Sequence, residues 1–273
     1  MCRHILALPG FFTSKFFKMD MYKNNVDKLL HATLNVVKSR GEEIFLDVSR
    51  PYAYTLVAEF DKKKFLMKIS ADAEDVSGSA VKDLKILGKY TTTPALCIIS
   101  GVRGRVLQRG VVYIRDDIVF MSLSTFKDVL DGKLPLFKLN RGVITATIRG
   151  DKLRERRESA DMSLGALANE LGVTRETVYR YERGEIEAPL KIANKLIIMF
   201  GEDIIKKIDI TNIEVSKEEL LSRRIDNNTY RLVESHPDAV RVEKNVFLIS
   251  TDRDRYEKTK ELAEALGAQF EKM

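Results

Sequence analysis

Residues Met162 to Gly184 read Met-Ser-Leu-Gly-Ala-Leu-Ala-Asn-Glu-Leu-Gly-Val-Thr-Arg-Glu-Thr-Val-Tyr-Arg-Tyr-Glu-Arg-Gly, and this stretch decides the central fold. Two helices that cross steeply after a three-residue turn need a small residue at the crossing, a turn residue that tolerates positive φ, and an apolar residue locking the second helix down. Ala168, Gly172 and Val178 supply these at the required spacing. Ser163 is a natural N-cap for the first helix of the pair and Thr174 for the second, because a side-chain oxygen at that place accepts from an otherwise unpaired backbone N–H. Leu167, Leu171, Val173 and Tyr181 complete an apolar floor beneath the pair.

The second helix then presents Arg175, Glu176, Thr177 and Tyr179 in its first turns, with Arg180 and Arg183 one turn further on. An α-helix fits the major groove of B-DNA, and its amino-terminal residues are those that reach base edges. The four early residues are therefore candidate base readers: Arg175 can donate twice to guanine and Glu176 can accept from cytosine. Arg180 and Arg183, with the hydroxyls of Ser163 and Thr174, are candidate phosphate contacts. On these residues the segment 149–201 resembles the lambda-Cro and XRE-like helix-turn-helix family. The resemblance implies a structural ion pair between Arg157 and Glu182, a loop through Gly184 and Pro189, and a fourth helix whose apolar face is Ile192, Leu196 and Met199. It also exposes a departure: Leu164 stands where several members place a polar, phosphate-contacting residue.

Outward from this segment the pattern changes. Val26, Leu29, Leu30, Leu34 and Val37 recur at helical spacing before Gly41; residues 44–48, 54–60 and 65–70 read as short strands, the last two joined by a turn over residues 61–64. A helix follows over 78–89, a buried strand over 95–100, a hairpin over 111–121 and a short helix over 125–130. After Pro135 the pattern turns helical, starting with residues 152–159. A third segment opens with Ser216-Lys217-Glu218-Glu219, which has the form of a capping box, and continues as strands over 230–233, 239–242 and 246–250 and a helix over 256–266.

The helix, three strands, helix, strand order of residues 25–140 is similar to that of the PD-(D/E)xK nucleases. Such a site needs an Asp on one strand and a carboxylate two residues before a Lys on the next, to hold Mg²⁺ and orient water. Lys68 is present, but Leu66 stands two residues before it; Asp61-Lys62-Lys63 spells the motif inside a turn, and Asp47 and Glu59 lack the missing partner. The expected architecture is multidomain, α/β plus all-α. Residues 1–24 read as a leader, with Met19 and Met21 as alternative starts. Residues 25–140 form a degenerate nuclease-like α/β domain without an intact metal site, and 143–205 the helical lambda-repressor-like helix-turn-helix domain. Residues 214–273 form a small α/β domain whose order repeats part of the first, as a truncated duplicate would. Over most of its length after residue 25 the chain resembles archaeal HTH-type transcriptional regulatory proteins, with Gly110-Val-Val-Tyr-Ile-Arg115 and the run from Ser163 to Gly172 as supporting residues.

The 273 residues are 44% hydrophobic and 32% charged, which excludes a disordered chain and fits two or three domains. Two cysteines and three histidines, at Cys2, Cys97, His4, His31 and His236, cannot supply a zinc finger or a disulfide framework, so a reduced, cytoplasmic protein with no cofactor and no metal is expected. The apolar run from Ile5 to Phe12 is far shorter than a membrane span. The net charge of +6 points to an anionic partner, yet residues 143–201 contribute only +1 of it. The leading expectation is a sequence-specific double-stranded-DNA-binding transcription regulator, a dimer and not an enzyme, with a structure-specific nuclease or junction-processing protein as the alternative and a protein-interaction module as a third. Neither the operator, the sign of regulation nor a small-molecule effector can be read from these residues.

Overall fold

The computed structural model describes residues 13–211 and 215–272. The elements run α1 (Thr13–Arg40), β1 (Glu42–Leu46), β2 (Leu56–Phe60), β3 (Lys63–Asp72), α2 (Gly78–Tyr90), β4 (Ala95–Val102), β5 (Arg105–Val106), β6 (Val111–Arg115), β7 (Ile118–Met121) and α3 (Leu123–Leu130). They continue as β8 (Phe137–Asn140), β9 (Val143–Ala146), α4 (Gly150–Ser159), α5 (Leu164–Leu171), α6 (Arg175–Glu182), β10 (Ala188–Pro189) and α7 (Leu190–Phe200). The last segment holds α8 (Lys217–Arg223), β11 (Thr229–Arg231), β12 (Ala239–Val242), β13 (Val246–Ser250), α9 (Tyr256–Leu266) and β14 (Gln269–Lys272).

The first sheet has the order β1-β2-β3-β4-β7-β6-β8-β9-β10, with β5 paired to β4. Its alternating side chains feed two cores. Leu56, Met67, Leu96 and Ile98 meet Val37 of α1 and Phe126 of α3 on one face; Val57, Leu66, Cys97 and Ile99 meet Val81 and Leu84 of α2 on the other. Burial on both faces explains the unbroken apolar run of β4. Each such fully buried aliphatic side chain contributes about 1.5–3 kcal/mol. The β2–β3 turn is two residues, Asp61 and Lys62, both at positive φ, so Lys63 and Lys64 belong to the strand and not to the four-residue turn expected. That conformation suits the right-handed strand twist.

Two further expectations are corrected. The first helix begins at Thr13, so the second half of the expected leader is helical backbone continuous with α1, while residues 1–12 lie outside those described. Residues 137–146 are a hairpin and not the onset of helices: β8 pairs with β6 and β9 with β10, so the sheet runs on into the helical unit. A bridge between Ile148 and Ile205 and the bond from Lys206 N to Thr147 O close that unit from the other side.

In the last segment β11-β12-β13 is antiparallel and β13 pairs in parallel with β14 after the α9 crossover, which is the topology of β1-β2-β3-α2-β4. Residues 212–214 and the Glu219 side chain, which the expected capping box and segment boundary involve, lie outside the described residues. The two units share a core, in which Leu232, Val240, Leu248 and Leu262 join Leu66, Val81 and Leu84.

Candidate nucleic-acid interface

Helices α4 to α7 enclose a core of Leu153, Leu167, Leu171, Val178, Tyr181 and Leu196. Both expected caps form: Ser163 Oγ accepts from Ala166 N at 3.0 Å and Thr174 Oγ1 from Thr177 N at 3.2 Å. Gly172 sits at φ 73°, ψ 40°, and its N–H and that of Val173 both reach the Ala168 carbonyl, so the chain reverses within three residues. Ala168 is buried at the crossing, and Leu164 packs half-buried against the core. On α7 the expected apolar face needs correction: Leu196 and Ile192 pack inward with Ala193, but Met199 is 37% exposed and Ile198 85% exposed.

Arg157 and Glu182 form the ion pair that the family resemblance implied, with Nε to Oε1 at 2.6 Å and Nη2 to Oε2 at 3.2 Å, on side chains 10% and 7% exposed. Arg157 Nη1 also donates to the Met162 carbonyl at 2.8 Å. A planar fork met by two carboxylate oxygens fixes orientation as well as distance, so α4 holds the end of α6 in one register. Glu182 in turn raises the guanidinium above its usual range. The sequence reading did not single out Gly150, yet a Cβ there would collide with the backbone of Glu182, so the close approach of the start of α4 to the end of α6 depends on this glycine. Its only sequence signal is a glycine at a helix start that carries no cap function.

The exposed face of α6 divides in two. Arg175 and Glu176 project from the first turn with no intramolecular partner. Thr177 is half-buried, its hydroxyl 2.8 Å from that of Thr174, so it serves the cap. Tyr179 is exposed and accepts from Arg183 Nη1 at 3.2 Å, with the guanidinium 5.6 Å above its ring. Glu185 draws both following arginines together, at 3.6 Å from Arg180 and 2.7 Å from Arg183. The arrangement is two unpaired side chains at the helix tip and, behind them, two arginines drawn onto one carboxylate.

The nuclease-like face is occupied by the chain itself. Lys68 is buried, its Nζ donates to the Tyr52 carbonyl, and burial lowers its pKa. Leu66 is fully buried, and Thr55, where β2 meets the Lys68 strand, holds a hydroxyl and no carboxylate. These residues do not fit a divalent cation, which asks for carboxylate oxygens. Asp61 to Lys63 lie exposed around the turn, and Glu59 sits half-buried opposite Lys64. Asp47 faces the second unit: its Oδ2 lies 2.5 Å from His236 Nε2, and its other oxygen accepts from Ser49 N at 2.6 Å. Around this pair the Tyr52 ring lies tilted over the imidazole with its centroid 3.9 Å away, and Tyr54 accepts from His236 N at 2.9 Å. Asp83 of α2 accepts from the N–H groups of Val233 and Glu234 and from Ser235 Oγ at 2.7–3.0 Å. In the second unit the positions of the same strand register hold Asp238, Leu248 and Ser250, an aspartate without the lysine, where the first unit has the lysine without the aspartate. No cluster of three metal-ligating side chains exists among the described residues.

The helices and the sheet together define a helix-turn-helix unit carried on a PD-(D/E)xK-type domain. Family models agree: residues 26–135 match a PD-(D/E)XK superfamily domain and residues 153–206 a helix-turn-helix. A protein of Pyrobaculum aerophilum, provisionally named an HTH-type transcriptional regulatory protein, is 66% identical over 248 residues, covering 90% of this chain and 99% of that protein. Proteins of the same provisional name from Methanosphaerula palustris and Methanococcoides burtonii are 33% and 31% identical over 186 residues, 67% of this chain. This chain spans about three fifths of the length of those two methanogen relatives, 61% and 58%. The chain belongs to this family of archaeal HTH-type transcriptional regulatory proteins. No solved structure matches it. No helix among the described residues is long and apolar enough to cross a membrane.

Proposed function

We infer that the chain is a cytoplasmic, sequence-specific double-stranded-DNA-binding regulator of transcription of the Cro/XRE type. One observation carries the reading. The first turn of α6 offers Arg175 and Glu176 without internal partners, on a helix whose caps, crossing and buried ion pair are all satisfied. A rigid helix with unpaired hydrogen-bonding side chains at its amino end is what direct readout in the major groove requires. Tyr179 reads the adjacent step, and Thr177 contributes through its methyl group, since its hydroxyl is bonded to that of the capping Thr174. Ser163, Thr174, Arg180 and Arg183 flank this tip as phosphate contacts; Glu185 would release the two arginines as phosphates replace it. Such units read two half-sites about 34–36 Å apart as two-fold dimers, so the active species is a homodimer.

The test is footprinting of the purified full chain on the DNA upstream of its own gene, repeated at several salt concentrations. A protected, two-fold-symmetric site supports the reading. Uniform affinity for every duplex, set only by salt, would leave a non-specific phosphate binder. The nuclease alternative is disfavoured by Leu66, Thr55 and the engaged Lys68 amine, none of which can hold or activate a metal-bound water. Cleavage of forked or junction DNA with Mg²⁺ or Mn²⁺ that disappears in Lys68→Ala would reinstate it.

A further inference from the structure

We propose that a cavity between the two arginine-tipped hairpins of the first unit binds a small organic anion with an apolar body. The cavity has a volume of about 770 Å³, within the range of small-molecule sites. Its floor and wall are Leu107 of the loop before β6, Val111 and Tyr113 of β6, Leu139 of β8 and Ile144 of β9. Its rim is Arg103, Arg105 and Arg141, and none of the residues lining it is acidic.

The rim is built by local sequence. In the β4–β5 hairpin Arg103 and Gly104 take φ 52° and 72°; in the β8–β9 hairpin Arg141 and Gly142 take φ 48° and 83°. Each is a two-residue turn whose first member is an arginine, an unfavourable choice for positive φ where Asn or Gly is usual. The first turn is held in place by Asp72, whose carboxylate accepts from Arg103 N at 2.9 Å and Gly104 N at 2.6 Å. Gly101 permits its tight return, since a Cβ there would meet the Arg105 backbone at 2.5 Å. Arg105 and Arg141 are exposed and have no internal partner, whereas Arg109, the third arginine of the same loop, is spent on Asp128. Arg103 has only a long contact of 3.4 Å to Glu74.

Arg105 and Arg141, which have no internal partner, line an apolar floor together with Arg103, a set that recognises a carboxylate, sulfonate or phosphate head on an aliphatic or aromatic body. A bare nucleic-acid backbone would use the rim and leave the floor wet, which disfavours it as the occupant. A neighbouring cavity at the β4–β5 hairpin contrasts with it, carrying Asp72, Glu74 and Asp75 beside Arg103 and Arg105. The anion site also stands on the path to α6. Its β8–β9 hairpin is clasped to the loop after α6 by Glu187, which accepts from Thr145 at 2.7 Å and Thr147 at 3.2 Å and pairs with Lys138. An occupant that draws the two hairpin tips together therefore bears on the placement of the reading helices; that consequence, unlike occupancy itself, rests on the DNA-binding reading.

The probe is anilinonaphthalene sulfonate, titrated into the full chain without DNA and followed by its fluorescence. One site per chain is expected, displaced by phenylbutyrate and not by phenylbutylamine. The double variant Arg105→Gln/Arg141→Gln, with an unchanged melting temperature, should weaken binding at least about tenfold, because two charge-assisted contacts are lost. Arg231→Gln, on β11 and outside the lining of the cavity, should leave it unchanged. Binding within twofold of the parent in the double variant, or equal displacement by the amine, would overturn the proposal. So would a duplex affinity whose salt slope falls by about two in the double variant, since the arginines would then be a phosphate track.

Discussion

Removing the imidazole of His236 should loosen the second unit from the first. The ring nitrogen Nε2 lies 2.5 Å from Asp47 Oδ2, on side chains 4% and 3% exposed. Burial holds the His236 pKa below its usual value against the pull of Asp47, so the ring is neutral and its Nε2–H is the donor. Asp47 is in turn held below the usual carboxylate range: its bonds from Ser49 and the neighbouring His236 outweigh burial, the largest single influence and an opposing one. In His236→Ala the carboxylate keeps Ser49 but loses its buried partner, a cost of about 1.5–3 kcal/mol for a hydrogen bond to a charged group. The vacated ring also leaves Tyr52, Tyr54 and Phe45 facing a gap. With partial collapse the sum is about 3–5 kcal/mol. Guanidinium unfolding of the full chain, followed by near-ultraviolet dichroism of the tyrosines, reads this directly.

The pH dependence adds a sign. With the folded His236 pKa depressed, the unfolded chain takes up a proton below about 6.5 that the folded chain refuses. The parent is therefore most stable above that value and loses stability as pH falls from it. Asp47, also depressed when folded, adds a loss in the same direction at lower pH, below its ordinary value of 3.8. The deficit of His236→Ala should shrink as pH falls from 7 towards 5, because the variant has no ring to protonate. A deficit below about 0.5 kcal/mol, within the usual range of surface substitutions, or one that is constant with pH, would refute the buried-pair account.

Other outcomes follow from the helical unit. Arg175→Ala should cost about 1–3 kcal/mol at one base pair and relax preference at that position alone; a uniform loss over a panel of single-base operator variants would make it a phosphate contact. Glu182→Ala leaves Arg157 charged and nearly buried, and should destabilise the helical unit by about 3–5 kcal/mol, measured by amide hydrogen exchange of α4 to α6; the conservative Glu182→Gln, which keeps an acceptor, should cost less.

Local rules made the helical unit legible. Ser163, Thr174, Gly172 and Ala168 act within a few residues of themselves, and their positions follow from cap and turn chemistry alone. The boundaries of α9, β12 and β13 were legible for the same reason, the first closed by Gly267 in the left-handed region. What was hidden is long-range. The β8–β9 hairpin is short, and its strands, with Phe137, Leu139 and Ile144 half-buried, gain their identity from β6 and β10 and not from their own alternation. His236 and Asp47 are 189 residues apart, and nothing near either announces the other. Ile198 and Met199 were readable as apolar but not as exposed, since helical spacing alone does not say how far round the buried stripe extends. For the nuclease-like face, the loss of the carboxylate before Lys68 was visible in sequence, while the carbonyl that now takes up the Lys68 amine was not.

The continuity of the first sheet through β8 and β9 to β10 gives α5 and α6 a splint instead of a tether. A unit hung on a flexible linker can swivel to meet half-sites at many separations, but one bonded strand to strand keeps a fixed bearing relative to the rest of its chain. Two such chains, once paired, would behave as calipers locked at one opening. Adding five base pairs between half-sites turns the second site to the opposite side of the duplex, and a splinted pair has no slack with which to follow it.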